Sequence, residues 1–437
     1  MTGAPMSIAE KLFKLKEAGS DVRTETVAGI TTFLTMAYII FVNPSILGDA
    51  GVPKEAVFVA TCLAAALGTA IMALYANYPI GMAPGMGLNA YFAYAVVLGM
   101  GVPWQSALGA VFISGCLFVI VSLLGLRGLI INGIPHALRT AITVGLGLFL
   151  ALIALKSAGI VTANPATMVA AGDLHKPPAL MAIFGFMLIV ALDKLKVRGA
   201  ILIGIVAVTL LSFVFGGNTF HGVFSAPPSL DPTLLKLDIK GALSVGIINV
   251  VLVFFLVELF DATGTLMGVA NRAGLLVPGK MERMNKALLA DSAAIVAGSL
   301  LGTSSTTAYV ESASGVQAGG RTGLTALVVA VLFLACLFIA PLAGAVPAYA
   351  TAPALLFVAC LMLRDLADID WSDTTESVPA GITAMMIPFT YSIAHGIAFG
   401  FITYAVLKLL TGRAREVKPI VWIIAAVFTF KYAYLPG

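Results

Sequence analysis

The sequence predicts an all-α polytopic membrane protein, and composition and segment length together predict this class. Of the 437 residues, 60% are hydrophobic and 11% are charged, whereas soluble domains have about 25% charged residues. Several apolar windows are long enough to form spanning helices. The first of them, which begins at Val27, is too long for a signal-peptide core and has no small-residue cleavage site after it, so we expect it to remain as a helix.

The apolar windows predict fourteen spans in two sets of seven, separated by a polar connection at 217–240. The first set is 27–46, 56–77, 87–99, 104–125, 138–157, 178–193 and 199–216. The second set is 245–270, 285–303, 308–318, 322–345, 350–364, 377–393 and 395–411. A last apolar piece, 419–435, is either a further span or an interfacial segment.

The distribution of basic residues predicts the orientation in the plasma membrane. With the polar segment 1–26 in the cytoplasm, most lysines and arginines fall in the inner connections, as the positive-inside rule expects. These residues include Lys194, Lys196, Arg198, Arg272, Lys280, Arg283, Lys286, Arg321, Arg413, Arg415 and Lys418.

The two sets of spans resemble each other, which predicts an inverted repeat. Cys-Leu-Phe occurs at Cys116 in the fourth span and again at Cys336 in the eleventh. The third and tenth spans are both short and broken, by Pro84 and Gly85 in one and by the run Ser304–Thr307 in the other, so both should contain a short extended segment. Because seven is odd, the halves have opposite topology, and such pairs of broken spans are typical of transporters with a substrate site at the midplane.

Three carboxylates in apolar segments mark the candidate site. A charged group at mid-membrane costs roughly 2.5–3.5 kcal/mol, so such residues usually face a cavity and have a function. Glu258 and Asp261 share one face of the eighth span with Ala262 and Thr265, and Glu311 lies in the tenth.

These residues predict a site for a flat heterocycle. Asn89 and Glu311 should face a common centre, where Glu258 and Glu311 accept N–H donors and Tyr309 or Tyr91 stacks on the ring. A dry carboxyl near another acid favours the protonated form, so Glu258 could carry the coupled proton. For Asp261 a structural role, bracing the broken segments, stays open beside a functional one.

The remaining polar residues suggest structural roles. Asp291 is expected to pair with Lys286 rather than relay protons, and His395 is a weak candidate for a proton site. The cysteines lack metal-ligand spacing, so we expect no metal and no cofactor other than the coupled proton.

Four separated motifs resemble the AzgA-like purine permeases, a branch of the xanthine/uracil permease superfamily. They begin at Thr31 (TTFLTMAYIIFVNP), Gly85 (GMGLNAYFA), Leu259 (LFDATGT) and Ala308 (AYVESASGV, followed by GGRTGLTA from Gly319). The resemblance implies a core domain at 27–125 and 241–345 that moves against a gate domain at 126–240 and 346–437. It also implies proton-coupled import of adenine, guanine or hypoxanthine, and homodimers that bind no nucleic acid.

By position, the resemblance assigns roles to four residues. Glu258 matches the substrate-binding polar residue of the eighth span, Glu311 the glutamate of the tenth, Asn89 the asparagine of the third and Asp261 the acid of the Leu-Phe-Asp motif. A glutamate at 258 favours substrates rich in N–H donors, and therefore guanine and hypoxanthine over adenine.

Other functions stay open. An adenine-preferring permease and a uracil or xanthine carrier fit the same family. An anion channel or exchanger on the same architecture would need a positive site, and the spans carry acids instead. A membrane enzyme would need a nucleophile–base pair or a metal cluster, and the sequence suggests neither, so we predict a transporter and not an enzyme.

Overall fold

A computed structural model describes residues 8–125, 133–216, 220, 222–243, 248–272, 276–277, 280–281 and 283–434, and the described chain is mostly helical. The N-terminal half contains α1 Ile8–Phe13, α2 Val22–Met36, α3 Ile39–Asp49, α4 Lys54–Ile71, α5 Met86–Ala90, α6 Trp104–Leu123, α7 His136–Ser157, α8 Pro177–Lys194, α9 Ala200–Phe215 and α10 Ile239–Ala242. The C-terminal half contains α11 Ile248–Arg272, α12 Met284–Leu301, α13 Ser312–Gln317, α14 Gly323–Ala335, α15 Ala340–Gly344, α16 Ala348–Met362, α17 Thr374–Phe389, α18 Ile393–Leu410 and α19 Pro419–Tyr434.

In the described chain, six short strands form three antiparallel pairs. They are β1 Met82–Pro84 with β6 Thr306–Ala308, β2 Val161–Asn164 with β3 Met168–Ala171, and β4 Leu276–Val277 with β5 Lys280–Met281. The pair β2–β3 is a hairpin between α7 and α8, and the pair β4–β5 lies between α11 and α12. Of these three pairs, β1–β6 joins the N-terminal and the C-terminal half of the chain.

Ten helical stretches in the described chain are long and apolar enough to cross a membrane, so the protein is a multi-pass membrane protein. Four of the predicted spans, 87–99, 199–216, 308–318 and 377–393, correspond to helical segments of fewer than 18 residues. The last apolar piece forms the 16-residue helix α19. The fourteen-span layout stays a prediction.

The strands β1 and β6 lie where the sequence predicts extended backbone. Met82 pairs with Ala308 and Pro84 with Thr306, and further backbone hydrogen bonds join Gly85 N to Ser305 O (2.8 Å) and Tyr309 N to Gly81 O (3.0 Å). Pro84 has no N–H to contribute to a helix, and the threonines of β6 favour extended backbone. A short helix follows each strand: α5, which continues as a π-helix over Tyr91–Gly99, and α13.

Two buried side chains hold this strand pair in place. The Thr69 hydroxyl donates to Met82 O (3.1 Å) and accepts from Met82 N (2.8 Å). Asp291 Oδ1 accepts from Thr307 Oγ1 (3.0 Å) and from Ala308 N (2.9 Å). These bonds satisfy polar groups that no water reaches at this depth.

The predicted pairing of Asp291 with Lys286 is wrong. Residues five apart on an α-helix point about 140° away from each other, so the two side chains diverge. Asp291 turns into the protein and is fully buried, while the Lys286 ammonium lies 5.7 Å from the ring centroid of Tyr75.

The helices pack mainly within two groups, and α11 contacts both. In one group, α4 packs on α3, α12 and α14, α6 packs on α11 and α12, and α2 packs on α13 and α14. In the other, α7 packs on α16 and α17, α17 on α18, α16 on α8 and α9, and α18 on α19. Because α11 also touches α5, β6, α7 and α18, its side chains lie where the two groups meet.

Candidate functional site

Glu258 lies near the middle of α11, beside the paired strands, and is fully buried. Its Oε2 accepts a hydrogen bond from Ser114 Oγ of α6. The Ser305 hydroxyl lies close enough to the same carboxyl to interact with it. Within the part of the chain that the structure describes, neither Glu258 Oε1 nor Ser305 Oγ makes a hydrogen bond of good geometry. Ser114 therefore fixes one carboxylate oxygen, and the other keeps the capacity to accept a hydrogen bond from a ligand.

Asn89 follows β1 in the short helix α5. Its side chain is fully buried, and neither its Nδ2 nor its Oδ1 has a hydrogen-bond partner among the residues that the structure describes. The Ser304 hydroxyl, on the segment that enters β6, is in the same condition. Buried polar atoms are nearly always paired, because an unpaired one costs about 1–3 kcal/mol. Several such atoms lie along the β1–β6 pair, so this place can offer hydrogen bonds to a polar ligand.

The acids near the site form two neighbouring pairs. Glu258 lies close enough to Asp291 for their charges to interact, and Asp261 lies similarly close to Glu311. Glu311 Oε1 accepts from the Tyr38 hydroxyl at 2.5 Å. Asp261 makes no hydrogen bond to another described residue, and the bracing role considered for it belongs to Asp291.

The two tyrosines considered for stacking are both buried. The Tyr309 hydroxyl donates to Pro84 O (2.6 Å), which ties the tenth segment to β1. The Tyr91 ring packs edge-on against Phe254 of α11, with the centroids 5.0 Å apart. Stacking by either ring stays a prediction. His395 packs edge-on against Tyr432.

One stripe of α11 is open. Asp261 and Thr265 are partly exposed, and Gly264 and Gly268 are exposed. A Cβ placed on either glycine would have no atom within 4 Å. The stripe begins at Asp261 and runs toward the Arg272 end of the helix. The face predicted from the sequence is therefore divided, because Glu258 and Ala262 are fully buried.

Comparison with known proteins identifies the family. Residues 23–399 match the model of the xanthine/uracil permease family. The chain is 49% identical to the adenine permease AdeP of Escherichia coli, over 98% of this chain and 96% of AdeP. It is 45% identical to the guanine/hypoxanthine permease PbuO of Bacillus subtilis, over 95% of this chain and 98% of PbuO. The chain belongs to the AzgA-like branch of this family.

This permease also shares its fold with a solved transporter. The transmembrane domain of the cyanobacterial bicarbonate transporter BicA superposes with a TM-score of 0.64 at 16% identity, over 85% of this chain and 97% of that domain. At such low identity the likeness concerns the fold alone. Family membership confirms that this permease is a transport protein and not an enzyme.

Three residues that contact the site acids were not identified as site residues from the sequence. Ser114 lies in the apolar helix α6, and Tyr38 lies between the apolar helices α2 and α3. Only their polar atoms distinguish these two residues from the packing residues around them. For Asp291, the sequence predicts Lys286 as the partner, whereas the structure gives Thr307 and Ala308. A sequence signal that could identify such residues is a hydroxyl or acid in an apolar helix next to a small residue. Ser114, which is followed by Gly115, is an example.

Proposed function

We propose that this permease imports purine nucleobases together with protons and favours guanine and hypoxanthine. The observation that supports it best is the set of unpartnered polar atoms along the β1–β6 pair, on Glu258 and Asn89. Two relatives that are similar to this chain over nearly its full length are named as purine permeases.

The chemistry of Glu258 supports the preference for oxopurines. An ionised carboxylate only accepts hydrogen bonds, so its free Oε1 suits the N1–H and N2–H₂ groups of guanine or the N1–H of hypoxanthine. The Asn89 amide both donates and accepts, which matches the mixed edge of a purine. Ser114 holds the second carboxylate oxygen and so orients the first.

Two pairs of neighbouring acids, of which Glu258 and Asp291 are fully buried, support proton coupling. Like charges close together in a dry site cannot both be ionised at low cost, so one proton shared within a pair is favoured. Glu258 with Asp291 and Asp261 with Glu311 each form such a pair. Protons then bind to the set of acids rather than to one residue, and substrate entry next to Glu258 changes the affinity for the proton.

The proposed architecture is the fourteen-span inverted repeat with a cytoplasmic N-terminus. The group of helices around α4 and α12 forms a core domain with the site, and the group around α7, α16 and α17 forms the gate. The open stripe of α11 that begins at Asp261 is the route by which substrate leaves. We also propose a homodimer, to be tested by the mass of the purified protein in detergent.

An adenine-preferring permease is the second candidate, and the similarity to AdeP favours it. In that case Glu258 is protonated when it binds substrate. It donates to N1 of adenine and accepts from the N6 amino group. The two candidates differ only in which state of Glu258 meets the base.

An anion carrier on this fold receives less support. A bicarbonate transporter shares the fold, but the charges that act on Glu258 and Asp261 come from acids. A site for an anion needs donors or positive charge at this place.

The test is uptake of radiolabelled hypoxanthine by cells expressing this chain, with and without a protonophore. Competition by guanine, adenine, uracil and xanthine ranks the substrates. We expect the protonophore and guanine to block uptake, and adenine to compete weakly. Adenine that competes as well as guanine would remove the oxopurine preference, and absence of any purine uptake in cells shown to express the protein would remove the proposed function.

A further inference from the structure

A polar cavity of about 330 Å³ lies at one end of the helices around α7 and α17, away from the candidate site. Three segments far apart in sequence form it: the start of α7 at Pro135 and Arg139, Glu376 on α17, and the connection with Glu416 and Lys418. In the predicted layout all three belong to cytoplasmic connections. The volume falls within the range of small-molecule sites.

The acids of this cavity are already paired with bases. Lys408 is buried, and its Nζ lies 2.9 Å from Glu376 Oε1 and 3.0 Å from Glu416 Oε2. Arg413 Nε lies 2.8 Å from Glu416 Oε1. Hydrogen bonds from Arg413 and Lys408 hold the pKa of the Glu416 carboxyl below its usual value. Each acid of the cavity therefore has a basic partner, and Arg413 is shared with Asp373, whose Oδ2 lies 2.7 Å from Arg413 Nη1.

Two bases of the cavity have no acid partner. The Arg139 side chain is partly buried, and its Nε is buried without a hydrogen-bond partner. Neither Arg139 nor Lys418 forms an ion pair with an acid in the part of the chain that the structure describes. Because the Arg139 guanidinium is only partly exposed and lacks an acid partner, an anion at this place would stabilise it, and the exposed ammonium of Lys418 lies at the same cavity.

The backbone adds donors in the same place. The 22-residue helix α7 starts at His136, and its N-cap residue Pro135 provides no side-chain cap. The N–H groups of its first turn therefore have no acceptor within the helix, and the helix dipole favours negative charge there. His136 itself is exposed and lies near Asp365, so we do not assign its ring to the site.

We propose that this cavity binds a phosphate group, held by Arg139, Lys418 and the first-turn N–H groups of α7. A planar guanidinium, an ammonium and a helix N-terminus offer donors from three directions, which suits a tetrahedral oxyanion. The phosphate belongs either to the headgroup of an anionic phospholipid or to a soluble phosphate compound.

The test measures the midpoint of thermal unfolding of the purified full chain in nanodiscs. One arm adds inorganic phosphate to phosphatidylcholine discs, with chloride at equal ionic strength as the reference. The other arm compares discs with and without phosphatidylglycerol. A higher unfolding midpoint in the first arm identifies a soluble phosphate as the source. A higher unfolding midpoint in the second arm alone identifies a lipid headgroup.

The variants Arg139→Gln and Lys418→Gln decide the assignment, with Arg415→Gln as the matched control. Arg415 is exposed on the same connection and does not line the cavity. Loss of a charge-assisted contact should raise the apparent Kd for the phosphate group about tenfold in Arg139→Gln. The apparent Kd of Arg415→Gln should equal that of the wild type. If Arg139→Gln does not fold, Lys418→Gln provides the same comparison. The proposal is overturned if neither arm shows a rise beyond its reference, or if the variants keep the rise. The test does not measure purine uptake, so its outcome is independent of the proposed transport function.

Discussion

At the scale of single residues, the site depends on how one carboxylate is held. Ser114 donates to one oxygen of Glu258, and the Ser305 hydroxyl lies beside the same carboxyl. The same arrangement places Glu258 near Asp291. Orientation and proton affinity of one side chain are thus set by different neighbours.

We expect Glu258→Gln to abolish proton-dependent uptake of hypoxanthine. The amide keeps the shape of the side chain but cannot take up a proton or present two acceptor oxygens. Uptake in cells at matched expression, with and without a protonophore, measures it. Residual uptake that the protonophore still blocks would show that another acid carries the proton.

Ser114→Ala should raise the KM for hypoxanthine about tenfold, because a hydrogen bond to a charged group contributes about 1.5–3 kcal/mol. The control is Ser122→Ala on the same helix, whose hydroxyl has no partner and whose loss should leave KM unchanged. Equal KM values for the two variants would contradict the orienting role of Ser114.

At the scale of elements, the β1–β6 pair is the feature that brings the two halves together. It holds Asn89 and Glu311 on the short helical segments that follow, and α12 supports it through Asp291. The same principle operates elsewhere: the buried Glu25 of α2 accepts from Thr322 N (3.2 Å) and Thr325 Oγ1 (2.6 Å), and so caps α14.

Asp291→Ala should lower the midpoint of thermal unfolding and also reduce uptake, because it leaves the Ala308 N–H buried without an acceptor, at a cost of about 1–3 kcal/mol. Asp291→Asn keeps an acceptor oxygen at Oδ1 and should unfold close to the wild-type midpoint. Uptake by Asp291→Asn then reports the role of the charge alone. An unchanged midpoint for Asp291→Ala would contradict the bracing role.

Gly264→Leu should reduce uptake at least about tenfold if the open stripe of α11 is the substrate route. The added side chain meets no atom nearby, so it fills the route without disturbing the packing. Gly344→Leu is the control, since Gly344 is equally open but lies in α15. Wild-type uptake by Gly264→Leu would indicate that the stripe faces lipid.

At the scale of the whole molecule, three distant connections converge on the cavity lined by Arg139, Glu376 and Lys418. The predicted layout places all three on one side of the membrane, and their convergence agrees with that part of the layout. The assignment of that side to the cytoplasm rests on the positive-inside rule and stays a prediction.

Cysteine labelling tests this orientation. In a background with the four natural cysteines replaced by alanine, Thr167→Cys lies on the exposed β2–β3 turn and Arg415→Cys on an exposed connection at the opposite end of the layout. A membrane-impermeant maleimide should label Thr167→Cys in intact cells and Arg415→Cys only after permeabilisation. The reverse pattern would invert the proposed topology.

The sequence alone determined the fold class, most of the helices, the two extended segments and the acids of the site. These follow from costs that act locally along the chain. An apolar stretch must be long enough to cross the bilayer, and an acid at mid-membrane is costly and usually functional. Proline and β-branched residues favour extended backbone over helix where they occur. Only the tertiary structure decided which groups are neighbours. Ser114 meets Glu258, Asp291 braces Ala308 and Tyr38 meets Glu311. Ser114 and Tyr38 meet their partners across more than 140 residues, and Asp291 meets Ala308 across 17 residues. No periodicity specifies contacts of this kind, because they depend on how the helices pack.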